Sequence, residues 1–145
     1  ALPIYQLATQ VAEMFSEEGS AAHSMTVMSF GFKHGLPPDA DLVVDMRFLA
    51  NPFWVPELRH LTGRDEPVSD YVLGLPGAKT FIERYVDALE PVLAGYLEEE
   101  KRYVTIAVGC TGGKHRSVAV SEALGTLLRE RGHRVTVTAR DLGKE

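Results

Sequence analysis

The sequence predicts an α/β fold, an open and mainly parallel sheet of about four strands with helices on both faces. Three observations lead there. Strand-like and helix-like segments alternate through the second half of the chain, with the apolar spacing changing from one period to the other. Residues 103–117 read as a buried strand, a glycine-rich turn and the first residues of a helix, which puts a loop after a central strand. The chain has 145 residues, a single-domain length that can bury about two thirds of its unfolded surface without disulfides or metals.

Taken in order, residues 5–17 place Leu7, Val11, Ala12, Met14 and Phe15 at helical spacing behind Pro3, so an amphipathic helix ending near Gly19 is expected. Residues 25–31 alternate and are β-rich, and 32–39 carry the glycine and proline punctuation of a loop, leaving Lys33 and His34 at a strand end. Residues 41–45 form a second short strand closed by Asp45 and Arg47. The proline-rich stretch 48–76 reads as a partly helical flap with a helical turn at 57–61, and Phe53 and Trp54 are expected as core beneath it.

Residues 78–96 are helical, with Phe81, Ile82, Tyr85, Val86, Leu89 and Leu93 on one stripe, and Pro91 is expected to kink or split that helix. A helix over 117–131 carries Val118, Val120, Leu124 and Leu128 and is ended by Gly132, and 133–139 form the last strand. Parallel strands bind ligands at their carboxyl ends, so the loops 32–39, 45–51 and 109–116 are expected on one edge.

Composition narrows the function. Cys110 is the single cysteine, so an internal disulfide is impossible and a reducing cytoplasm fits best. No apolar run reaches spanning length and no signal peptide opens the chain, so no membrane partner is expected. Scattered histidines without a His-Glu-x-x-His pattern give no metal site, and without Gly-x-x-x-x-Gly-Lys-Ser/Thr there is no ATP-type loop, so no cofactor is implied. The net charge is −5, yet residues 111–145 hold 7 Lys and Arg against 4 Asp and Glu, while residues 1–110 hold 8 against 16. The basic end begins at the glycine-rich loop, where Arg129, Arg131, Arg134 and Arg140 form either a solvated face or an RNA patch.

That loop has the makings of a phosphate site. Its glycines let successive amides point at one ligand, and the following helix start already favours negative charge. The candidate binding residues are Cys110, Thr111, Gly112, Gly113, Lys114, His115, Arg116 and Ser117, with Lys33, His34, Asp45 and Arg47 as a second wall. The run also satisfies Cys-x-x-Gly-x-x-Arg-Ser, which resembles the phosphate loop of cysteine-dependent phosphatases. In that reading Cys110 is the nucleophile, Arg116 clamps the phosphate, and Asp41, Asp45, Asp65 or Asp70 protonates the leaving oxygen.

A longer set of motifs points elsewhere. Ser-Phe-Gly-Phe-Lys-His-Gly-Leu-Pro-Pro-Asp at 29–39, Asp-Met-Arg-Phe-Leu-Ala-Asn-Pro-Phe-Trp at 45–54, Leu-Thr-Gly-Arg-Asp at 61–65 and Gly-Cys-Thr-Gly-Gly-Lys-His-Arg-Ser at 109–117 resemble, in order and spacing, the C-terminal domain of the RapZ (YvcJ-like) family. The resemblance covers roughly residues 25–140. It implies one domain over 1–145, where family members carry a P-loop nucleotide-binding domain ahead of it. It also implies an oligomeric regulatory adaptor, not known as a catalyst, that binds RNA and partner proteins and senses glucosamine 6-phosphate. Carried over by motif, the phosphate would sit on Thr111, Gly112, Gly113, His115 and Arg116, and the amino sugar would face Asp45, Arg47 and Asn51. A metabolite-binding domain without RNA is the remaining alternative.

Overall fold

The structure, a computed structural model, describes residues 24–144. The helix expected over 5–17 lies outside the described residues. Four strands, β1 (Ser24–Gly31), β2 (Leu42–Asp45), β3 (Tyr103–Cys110) and β4 (Arg134–Ala139), form one sheet in the order β2-β3-β1-β4. Every neighbouring pair is parallel, as an open α/β sheet requires. Gly31 lies opposite Cys110 and Asp45 opposite Gly109. Three strands therefore end at one level, and their outgoing loops gather on one edge.

Three helices are described: α1 (Glu66–Leu73), α2 (Ala78–Glu98) and α3 (Arg116–Glu130). The crossovers from β2 to β3 and from β3 past β1 to β4 advance in the same direction, so right-handed connections place all three on one face. There they pack on one another and bury Val27, Ile106, Val108, Val86 and Leu124 in the core. α3 lies over the middle of the sheet, against β1, β3 and β4.

Local chemistry accounts for the differences from the expected elements. α1 falls within the stretch read as an irregular flap; Asp65 stands at its N-cap and Pro67 lies in its first turn, where a missing amide costs nothing. α2 runs unbroken through Pro91, which is exposed, so the carbonyl it leaves without a donor can turn to water. Phe53 and Trp54 are 43% and 73% exposed and are not core. They belong to a 3-10 turn, Pro52–Trp54, whose buried residue is Pro52, and the core under this segment is made by Leu49 and Leu58. Gly132 follows α3 with φ of 93°, the left-handed geometry that stops a helix.

Candidate functional site

The loop after β3 is seated on the end of β1 by direct backbone contact. A Cβ on Gly31 would collide with Gly112, and one on Gly113, whose φ is 79°, would come within 2.6 Å of the Gly31 nitrogen. The Lys33 amide donates to the Thr111 carbonyl at 3.2 Å, which ties the following 3-10 turn, Phe32–His34, to the same loop. Gly109 has Phe30 and Phe32 ring atoms where a Cβ would be, which explains why this position before the cysteine carries no side chain.

Above the loop opens a cleft of about 290 Å³. Its floor is Cys110, Thr111, Gly112, Lys114, His115 and Arg116, and Lys33, Asn51 and Phe53 complete it. Lys33 and Asn51 thus come together with the loop from separate strand ends. Asn51 is oriented by its own turn, since its Oδ1 accepts the Phe53 amide at 3.1 Å. His34 is exposed and, like Asp45 and Arg47, is not among the residues lining the cleft.

Arg116 dominates the electrostatics. It is 5% exposed, and its guanidinium donates to the carbonyls of Leu49 at 3.0 Å and Arg47 at 3.3 Å and to the Thr111 hydroxyl at 3.3 Å. All three acceptors are neutral. Its Nε is buried with no hydrogen-bond partner, and among the described residues no carboxylate forms an ion pair with it. A buried cation in that state is costly unless an anion arrives.

Asp45 is committed elsewhere. Both its oxygens accept from Arg47, at 2.7–3.1 Å, and Oδ1 also takes the Arg47 amide at 2.9 Å. Those bonds, ahead of the more distant charge of Arg116, hold its carboxyl below the usual range. Arg47 is further fixed with its guanidinium carbon 3.9 Å from the centre of the Phe32 ring. The pair forms a rim beside the cleft.

His115 joins the loop to the segment before α1. Its Nε2 lies 3.1 Å from the Arg59 carbonyl, and the Gly63 amide donates to the Lys114 carbonyl at 2.9 Å. Burial pushes the imidazole below its ordinary value of 6.5, so at neutral pH it donates to the carbonyl as an uncharged ring. It contributes a clamp and no positive charge. Gly63 allows that contact, because a Cβ there would collide with the His115 carbonyl and the Ala119 amide.

Cys110 is 2% exposed; its Sγ accepts the Gly113 amide at 3.3 Å and lies 3.1 Å from Ser117 Oγ. Among the described residues no Asp or Glu lines the cleft. Asp41 is bonded to the Thr105 amide and Lys101, and Asp65 accepts the Thr62 amide at 2.7 Å. Among the described residues no group of three or more His, Cys, Asp or Glu is placed to hold a metal, and no helix is long and apolar enough to cross a membrane.

One residue of the site escapes a reading of the sequence. Asp141 is 1% exposed behind the loop and accepts the Gly31 amide at 2.8 Å. In the sequence it is an acid between Arg140 and Leu142 in a polar tail, with nothing to signal burial.

Comparison with known proteins gives one answer. Residues 23–143 match the family described as the RapZ C-terminal domain. A nucleotide-binding protein of Clavibacter michiganensis subsp. michiganensis is 63% identical over 145 residues, covering 99% of this chain and 50% of the relative. A nucleotide-binding protein of Bifidobacterium adolescentis is 57% identical over 144 residues, with 99% and 46% covered, and one of Streptomyces coelicolor is 56% identical over 144 residues, with 99% and 48% covered. The chain spans about half the length of these curated relatives.

Proposed function

Because the chain belongs to the RapZ C-terminal domain family, we propose that it is a regulatory binding domain that senses a phosphate ester, of the glucosamine 6-phosphate kind, and passes its occupancy to an RNA or protein partner. The observation that carries the reading is Arg116, a buried guanidinium whose acceptors among the described residues are all neutral and whose Nε has none there. A phosphate supplies the missing charge and the acceptors together. It would rest on Thr111, Gly112 and Arg116 at the start of α3, where helix amides and dipole add to the attraction. Lys33 and Asn51, from the facing loops, would meet the ester's phosphate edge and its polar ring. The relatives' name, nucleotide-binding protein, is compatible with a phosphorylated ligand.

Thermal melting tests this. A ligand at one hundred times its Kd adds about 2.7 kcal/mol, a rise of roughly 5–10 °C in a domain of this size. Glucosamine 6-phosphate should produce that rise, inorganic phosphate a smaller one and glucosamine none. Equal shifts with glucosamine, or no shift with any phosphate ester or nucleotide, overturn the reading.

The adaptor role rests on the family and on the basic balance of residues 111–145. Arg129, Arg131 and Arg140 are already bonded to Val135, Asp87 and Asp141, so the RNA contacts would fall to exposed residues such as Arg134 and Lys33. Affinity for RNA should drop steeply between about 50 and 200 mM salt as counterions are released. No binding at the lower salt leaves a metabolite sensor with a protein partner or none.

The Cys110 geometry favours a second reading, the cysteine phosphatase, since Sγ meets an amide and a hydroxyl as a thiolate loop requires. Against it stands the lack, among the described residues, of a carboxylic acid in the cleft. Turnover of a chromogenic phosphate monoester that vanishes in Cys110→Ser would replace the sensor with an enzyme.

A further inference from the structure

The Asp141 carboxylate has all four of its acceptor positions filled. Oδ1 takes Arg140 Nε at 2.9 Å and Lys144 Nζ at 3.1 Å; Oδ2 takes Arg140 Nη2 at 2.8 Å and the Gly31 amide at 2.8 Å. It has no lone pair left for a ligand. Its place is nevertheless specific, because the Cβ position of Gly113 is 3.2 Å from Asp141 Cβ and 2.6 Å from the Gly31 nitrogen. The carboxylate holds Gly31, and Gly31 is the surface on which the loop rests without any side chain between. Arg140 extends the hold, since its Nη2 also donates to the Gly35 carbonyl at 2.6 Å, closing the turn that carries Lys33.

We propose that Asp141 is a positioning residue for the phosphate loop: with Arg140 it latches the 140–144 segment to the end of β1 and so fixes loop and Lys33 together. This rests on reading the loop as a phosphate seat. Affinity at the cleft then depends on the contacts of segment 140–144, although that segment lines no part of the cleft.

The sign of one substitution separates positioning from simple charge. Asp141→Asn keeps the shape but removes a negative charge behind an anion site, so a purely electrostatic role predicts tighter phosphate binding. The latch predicts looser binding, about tenfold weaker, as befits a lost charge-assisted hydrogen bond. Calorimetric titration of the full chain with inorganic phosphate and with glucosamine 6-phosphate reads the sign. Amide hydrogen exchange without ligand reads the latch directly, with faster exchange expected at residues 31–35 and 110–114 and unchanged exchange in α2. Unchanged or tighter binding, unchanged loop exchange, or faster exchange throughout the chain overturns the proposal. Should Asp141→Asn fail to fold, Lys144→Ala removes one of the four contacts; because it also removes a cation, only amide exchange is read there, with faster exchange expected at residues 31–35 and 110–114 and unchanged exchange at those residues overturning the latch. If the wild type binds neither probe, the sensor reading falls, and the exchange pattern still decides the latch.

Discussion

Arg47 and Arg116 meet at one point, where Arg116 donates to the Arg47 carbonyl, and yet their charges are handled in opposite ways. Arg47 is half exposed, forked onto Asp45 and laid over Phe32. Arg116 is buried and, among the described residues, bonded only to neutral oxygens. The difference teaches where to look for a ligand. A cation with its own carboxylate is complete, whereas one held by carbonyls is positioned but not neutralised, and an incoming anion gains most from it.

The largest expected effect comes from emptying that position. Arg116→Met should abolish the melting shift with glucosamine 6-phosphate and weaken binding by about a hundredfold, near 3 kcal/mol. Its ligand-free melting temperature should fall far less than the ligand-bound one, and equal losses would make Arg116 structural. Next in size is Gly63→Ala, which forces a methyl group into the His115 carbonyl and Ala119 amide. The overpacking should cost about 1–3 kcal/mol in a denaturant titration and loosen the segment before α1 from the loop.

A smaller effect is expected from pH. Burial holds the His115 imidazole below its ordinary value of 6.5 in the fold, so on acidification the unfolded chain takes up a proton first. Stability contributed by this residue is complete above 6.5, declines as the pH falls toward the folded value and levels off below it. Denaturant titrations of ligand-free protein from about pH 7 to pH 5 should show this slope in the wild type and lose part of it in His115→Gln. The smallest effect belongs to the paired arginine. Asp45→Asn should change stability by less than about 1 kcal/mol and affinity by less than about fivefold, as for an exposed ion pair. A loss as large as that of Arg116→Met would move Asp45 and Arg47 from the rim into the ligand's contacts.

Legibility in the sequence followed the nature of each signal. The strands at Ser24–Gly31 and Tyr103–Cys110 are readable because apolar β-formers continue to a glycine. The loop is readable because strand, glycines, Arg116 and Ser117 are contiguous. α1 is concealed by the prolines around it, although Asp65, Glu66 and Pro67 are a helix-start signal in plain view. Phe53 and Trp54 mislead, because aromatic residues normally announce a core and here Pro52 takes the inward place.

The sequence by itself determined the α/β class, the family and the glycine-rich loop, because these are written in neighbouring residues and their spacing. Only the tertiary structure decided which cations are already neutralised. Asp45 and Arg47 pair two residues apart, but the state of Arg116 depends on carbonyls at Arg47 and Leu49, and that of the loop on Asp141, 110 residues after Gly31. Charge compensation is a matter of distance in space, and the parallel sheet, by ending three strands at one level, sets those distances.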